Sequence, residues 1–240
     1  MSLSDSAPRP KRFYKTVTTA AGEGGFAILL DGRAVKTPAG ARLALPSQAL
    51  AELVAAEWAA QEEFIVLPLM GATRLAYTVI DRITQARAET AAELARYAGA
   101  DLICYFAEAP QALVALQRQH WEPLLDWAQT THGLRFERAS GIIHQAQPQD
   151  TLDRALAFAQ AQDDFTLAGL AFGAALFGSA VLTLALQAGR LSGQAAFDLS
   201  RLDQAFQEER WGIDDEAAAR TAWMQQEALL LERWFLALKG

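Results

Sequence analysis

The stretch 165–188, FTLAGLAFGAALFGSAVLTLALQA, decides the fold. It carries no charge and has the length to span a bilayer, for which ~20 apolar residues suffice. Gly169 and Gly173 even form the small-xxx-small pair of packed membrane helices. Yet Thr166, Ser179, Thr183 and Gln187 are scattered through it, and Asp163 and Asp164 flank one end. No basic cluster marks a cytoplasmic side, and Gly178-Ser179 is a place to kink or break. A helix apolar all round is also what the centre of a helical domain needs. The expectation is a buried core helix over Phe165–Ala188, with no membrane insertion.

Downstream, Ser192 is placed to cap a helix whose periodic pattern runs from Ala195 to Trp211. Gly212 supplies the left-handed residue that stops it, and Asp214 can cap the next helix, over 215–238. Asp215 and Glu216 then fall in that helix's first turn, where carboxylates suit the positive end of the dipole. The structural reading is a well-made corner with Trp211 as a core anchor. The functional reading is a binding site, because Phe206, Gln207 and Trp211 with Asp214, Asp215 and Glu216 are richer in anchors and charge than a turn requires.

Upstream of the apolar run the pattern is helical back to Thr73: a long or kinked helix to Phe106, a helix over Ala112–Gln129, a linker over 133–148, and a helix near 151–162. The front reads instead as β. Strands are expected over Phe13–Thr19, Phe26–Leu30, Arg33–Lys36 and Arg42–Leu45, with Asp31-Gly32 as a hairpin turn. Ser47 caps a helix to about Gln61 with Leu50, Val54 and Trp58 along one stripe, and Phe64–Leu67 reads as a short strand. The fold class is α+β: a small α/β sheet domain at 1–70, then a larger all-helical domain at 71–240.

Composition bounds the function. The 240 residues are 52% hydrophobic and 20% charged, which suits a globular chain with a sizeable core. Residues 1–45 hold seven basic side chains against three acidic, a net +4 that leaves −11 for the rest of a chain with net charge −7. A basic front and acidic back suggest surfaces for different partners, and the acidic bulk argues against nucleic acid. Cys104 is the sole cysteine, which excludes a disulfide within the chain and a cysteine metal cluster. Met1–Lys15 lacks an apolar core and holds Pro8 and Pro10, so neither a secretory nor a transit signal is read there, and a cytoplasmic location is expected.

Catalytic constellations are missing. There is no phosphate-binding Gly-x-x-x-x-Gly-Lys-Ser/Thr loop. Gly22-Glu23-Gly24-Gly25 joins two strands, so it is a hairpin loop and not a dinucleotide fingerprint. His120, His132 and His144 lack metal-ligand spacing. The enzyme alternative is a metal-dependent site on Asp214, Asp215 and Glu216. Recognition without a cofactor fits the sequence better.

The segments in order resemble the ATP12 family, assembly chaperones of the F1-ATPase α subunit. The front carries Arg12-Phe13-Tyr14-Lys15, then Asp31-Gly32-Arg33 through Lys36-Thr37-Pro38, then Glu57-Trp58 with Gln61, and Asp81-Arg82. The middle supplies Asp101 to Tyr105 and Trp121-Glu122-Pro123; the end supplies Arg201-Leu202-Asp203, Phe206-Gln207 and Trp211-Gly212. The resemblance implies an ATP-independent chaperone that binds the unassembled α subunit and covers the surface later taken by the β subunit; with no coiled-coil or symmetric-interface motif in the sequence, a monomer is expected. It implies a structural role for Asp31, Gly32, Arg33, Lys36, Thr37, Pro38, Glu57, Trp58, Gln61, Asp81, Asp101 and Trp121. The chain departs from the family pattern at Gln204, where an acidic residue is usual; Asp203 and Glu208 are the neighbouring carboxylates. Relatives occur in mitochondria and α-proteobacteria, and the bacterial form is expected here.

Overall fold

The computed structural model describes residues 10–141, 143–212 and 214–239, and for Trp211 the backbone alone. The chain divides into two compact units. The first holds the residues up to Arg82 together with those from Leu236 onward, and the second runs from Ile83 to Phe235.

In the first unit β1 (Val17–Gly22) pairs antiparallel with β2 (Gly25–Leu30) in a hairpin, with Val17 opposite Leu30 and Gly22 opposite Gly25. The other edge of β2 takes both β3 (Arg33–Ala34) and β4 (Ala44–Leu45). Asp31 (φ 48°) and Gly32 (φ 80°) make the turn expected of that dipeptide. Gly25 has a different reason to be glycine: a Cβ there would sit 2.3 Å from the Leu45 carbonyl oxygen. Helix α1 (Gln48–Ala59) lies on β1 and β2 with Leu50, Ala51, Val54 and Trp58 buried, and Ser47 caps it by accepting from the Leu50 N–H.

Three details of this unit differ from the sequence expectation. The first strand begins at Val17, because the Lys15 and Thr16 N–H groups donate to the Asp31 carboxylate instead of a neighbouring strand. Phe64–Leu67 is no strand: Phe64 bridges Lys11, and a 3-10 turn over Leu67–Leu69 follows, with Pro68 lacking a ladder donor. The boundary between units falls after Arg82, not at 70. Helix α2 (Gly71–Thr78) stays with the sheet since Glu57 of α1 accepts from the N–H groups of Ala72 and Thr73 at its start.

The second unit is helical apart from a parallel pair, β5 (Tyr105–Phe106) with β6 (Ala139–Ser140). The long helix expected after Thr73 is interrupted by a π-helical turn over Val79–Ile83, from which α3 (Thr84–Gly99) continues. Then come α4 (Gln111–His132), α5 (Gln149–Gln160), α6 (Asp164–Phe177) and α7 (Ala180–Ala188). The chain ends with α8 (Gly193–Ser200), α9 (Leu202–Trp211) and α10 (Asp215–Leu238).

The apolar run is thus two helices and not one. Gly178 turns left-handed (φ 64°), and Ser179 caps α7 by accepting from Leu182 N–H. Both helices sit in the core, with Leu167, Leu170, Leu182 and Leu184 shut off from solvent. Gly169 lets α6 meet Phe235 of α10, whose ring a Cβ would approach to 2.7 Å, and Gly173 does the same for Thr183 and Leu231. The small residues serve close packing in a helical core. Among the described residues no helix is long and apolar enough to cross a membrane.

Candidate functional site

The corner between α9 and α10 is the candidate site, and the chain upstream fixes it in place. Arg201 (φ −118°) breaks the helix expected to run unbroken over 193–211, so α8 and α9 are separate. Two side chains of α4 hold this break. Trp121 donates its indole N–H to the Leu199 carbonyl at 3.2 Å, and the buried Gln117 donates to the Asp203 carboxylate at 2.7 Å while accepting from Ala107 N–H. Burial raises the Asp203 carboxyl above its usual range, and the Gln117 bond works against that. Arg201 pairs with Glu208 at 2.5 Å. On the opposite side Gly193 allows α8 to touch the α10 backbone, where a Cβ would lie 2.5 Å from the Ala228 carbonyl oxygen, and Gln194 accepts from Gln225.

Beyond these anchors the corner faces water. Among the described side chains of α9 none is buried. Phe206 is half-buried, with the Arg210 guanidinium 4.2 Å above its ring. Gln207 is exposed. Gly212 (φ 80°) ends α9, and Asp214 caps α10 by accepting from Ala217 N–H at 2.8 Å. Asp215 and Glu216 are exposed in the first turn of α10. The Trp211 side chain, expected as an anchor, lies outside the described residues.

Two features escaped the sequence reading. Trp223 on α10 is 49% exposed, the most solvent-open tryptophan among those described. Nothing in its local sequence marks it: the polar run Gln225-Gln226-Glu227 behind it includes the buried Glu227, and the buried Trp234 directly follows Glu232-Arg233. Next to Gln204, which is exposed, both neighbouring carboxylates are engaged inside the protein: Asp203 by Gln117 and Glu208 by Arg201. Glu209 near the end of α9 and Asp214, Asp215 and Glu216 at the α10 start are exposed at the corner.

The remaining motif residues hold distant chain segments together. The Asp31 carboxylate accepts from Thr16 and Lys15, and those bonds keep it below the usual carboxylate range. Asp81 accepts from Thr37 Oγ1 at 2.6 Å and from Ala39 N–H, pinning the turn around Pro38. Glu57 caps α2; burial pushes its carboxyl up while the Ala72 and Thr73 bonds draw it down. Gln61 accepts from Val66 N–H, and the Arg12 guanidinium donates to the Gln61 carbonyl. Asp101, fully buried, accepts from Ile103 and Val181 N–H, and burial drives its carboxyl up to about 6. Arg33 and Lys36 are exposed and take no part in these bonds.

The other chemistry-bearing side chains lie apart from this corner. Among the described residues no three His, Cys, Asp or Glu side chains converge as metal ligands. His132 is packed edge-on between Trp127 and Phe158, and His144 lies against the Tyr105 hydroxyl. Cys104 is buried, which pushes its thiol far up and leaves it unreactive.

Comparison with known proteins gives the same direction. The family model of the ATP12 chaperone protein matches residues 11–129, the sheet unit and the helices up to α4. The mitochondrial Atp12 protein of Schizosaccharomyces pombe is 25% identical over 228 residues, covering 89% of this chain and 78% of that protein. Among solved structures, Atp12 from Paracoccus denitrificans is 38% identical with a TM-score of 0.89, covering 95% of this chain and 98% of its own. A candidate chaperone from Agrobacterium tumefaciens is 39% identical with a TM-score of 0.90, covering 95% of this chain and 86% of its own. At 38% identity over 95% of its length, the chain belongs to the ATP12 chaperone family.

Proposed function

We propose that this protein is an ATP-independent assembly chaperone that binds the unassembled F1-ATPase α subunit and shields its β-facing surface until F1 assembles. Membership of the ATP12 family supports the class of function. The observation that carries the binding site is the α9–α10 corner, reached through a helix that Gln117 and Trp121 anchor at its start and whose outer residues have no part in the core. Phe206 and Trp223 offer aromatic contact area, and aromatics dominate binding hot spots. Asp214, Asp215 and Glu216 steer a basic client patch, an effect that weakens as salt rises. On this reading the protein works as a monomer in the bacterial cytoplasm, whereas the Schizosaccharomyces pombe relative is a mitochondrial protein.

The experiment is capture of the α subunit from cell extract, with and without Asp215→Lys plus Glu216→Lys. Asp214 is spared because it caps α10. The double variant should stay folded with a stability loss of about 1–4 kcal/mol, since each of the two reversed charges gives up ~0.3–1 kcal/mol near a helix start and adds a comparable repulsion, and should lose capture. Recovery of the α subunit without β supports the client; capture that survives in the folded variant moves the binding face elsewhere.

A further inference from the structure

The first unit holds a small cavity that neither its core nor the α9–α10 corner uses. Phe13, Leu30, Val35 and Trp58 line it, together with Arg33 and Lys36, and it encloses about 260 Å³. That is below the roughly 300–1,000 Å³ of cofactor and drug-sized pockets, so it suits an inserted side chain.

Three observations say what kind. Phe13 is 73% exposed, although it packs edge-on against the buried Tyr14 at 5.3 Å, which packs in turn against Trp58 at 5.9 Å. A large aromatic held in water at the outer end of a rigid stack is a contact surface in waiting. The Trp58 indole N–H is buried in the cavity wall without an acceptor, whereas buried donors are nearly always paired. Arg33 and Lys36 are exposed and have no carboxylate partner among the described residues, and the closest acidic side chain in sequence, Asp31, is taken by Lys15 and Thr16. This part of the chain is the basic part: net +4 over residues 1–45 against −11 over the rest.

We propose that the cavity docks an extended acidic segment of a protein partner, whose apolar side chain enters beside Phe13 while flanking carboxylates meet Arg33 and Lys36. Charge sets it apart from the corner, which calls for a basic patch, so the two sites take different parts of a partner. The site goes beyond the corner reading and does not depend on it.

The test uses a fluorescein-labelled peptide of about eight alternating Glu and Leu residues, with its Lys–Leu counterpart as control. Anisotropy of the full-length protein should show binding of the Glu peptide that weakens as salt rises, and none of the Lys peptide. Arg33→Glu with Lys36→Glu should weaken binding at least about tenfold, and Phe13→Ala severalfold, in variants that melt normally. The Trp58 indole resonance, identified through Trp58→Phe, should move during the titration. Asp215→Lys plus Glu216→Lys should bind the peptide unchanged, so failure here and failure at the corner are told apart. The proposal is overturned if charge reversal leaves binding intact or the indole resonance stays still. It is overturned equally if a single-stranded oligonucleotide competes as well as the peptide, or if Arg33→Glu with Lys36→Glu abolishes self-association, which would make a second copy the occupant.

Discussion

Helices α6 and α7 meet at Gly178 with Ser179 as the following cap; α9 and α10 meet at Gly212 with Asp214 as the cap. The punctuation is alike: a glycine at positive φ, then a short oxygen-bearing side chain on the next helix start. The fates are opposite. Most of α6 and nearly all of α7 are buried, whereas α9 and the first turns of α10 are open to solvent. Turn chemistry therefore says where helices end, and the apolar content of their flanks says whether the corner becomes core or surface. A corner that keeps its caps but gives up its core contacts has its outer surface free for a partner.

The comparison breaks most visibly at Leu182, which is wholly buried in α7. Leu182→Asp leaves an unpaired charge in the core and should cost several kcal/mol, enough to lose the cooperative urea transition of the helical unit. A parent-like transition would mean that α7 is not core.

Next in size is the pH dependence carried by Asp101, which helps Ser179 at the start of α7. Its folded pKa, about 6, lies above the value of a free aspartate, so the folded state holds its proton longer. Stability from this group is present below about pH 4 and is lost as pH rises toward 6, by up to about 3 kcal/mol. Asp101→Asn should remove that downward slope in urea titrations between pH 4 and 7. An unchanged slope would assign it to another group.

Gly173→Ala is milder. The added methyl would meet Thr183 and Leu231 at 2.6 and 2.8 Å; the Leu231 tip can shift, but the buried, β-branched Thr183 is held by its hydroxyl to the Ser179 carbonyl, so a loss of about 1–3 kcal/mol by thermal melting is expected. The smallest stability effect belongs to the other corner: Trp223→Ala should change folding by about 0.5 kcal/mol or less while lowering α-subunit capture. Should that variant melt well below the parent, the exposed face of α10 would be structural after all.

Much of this was readable from residues alone. Ser47, Ser192 and Asp214 cap as expected because a cap is a local event, one side chain reaching two or three residues on. Asp31-Gly32 turns for the same reason. What the sequence could not display were bonds across long separations: Glu57 to Ala72 and Thr73, Asp81 to Thr37, Asp101 to Val181, and Gln117 to Asp203. The break at Arg201 has no glycine or proline to announce it; it follows from α4 gripping Leu199 and Asp203 on either side. Exposure of Trp223 was hidden for a related reason, since a tryptophan's burial depends on which helix lies opposite and not on its own neighbours.

The first unit takes its last piece of chain from a distant part of the sequence, the end of α10. Leu236 and the residues after it belong with the sheet, where Ser47, the cap of α1, donates its hydroxyl to the Ala237 carbonyl. A ribosome releases the sheet well before Leu236 and Ala237, with the whole helical unit made in between. The opening segments of the small unit therefore stand against an unfinished side until that distant piece arrives, and completion of the small unit is tied to synthesis of the larger one.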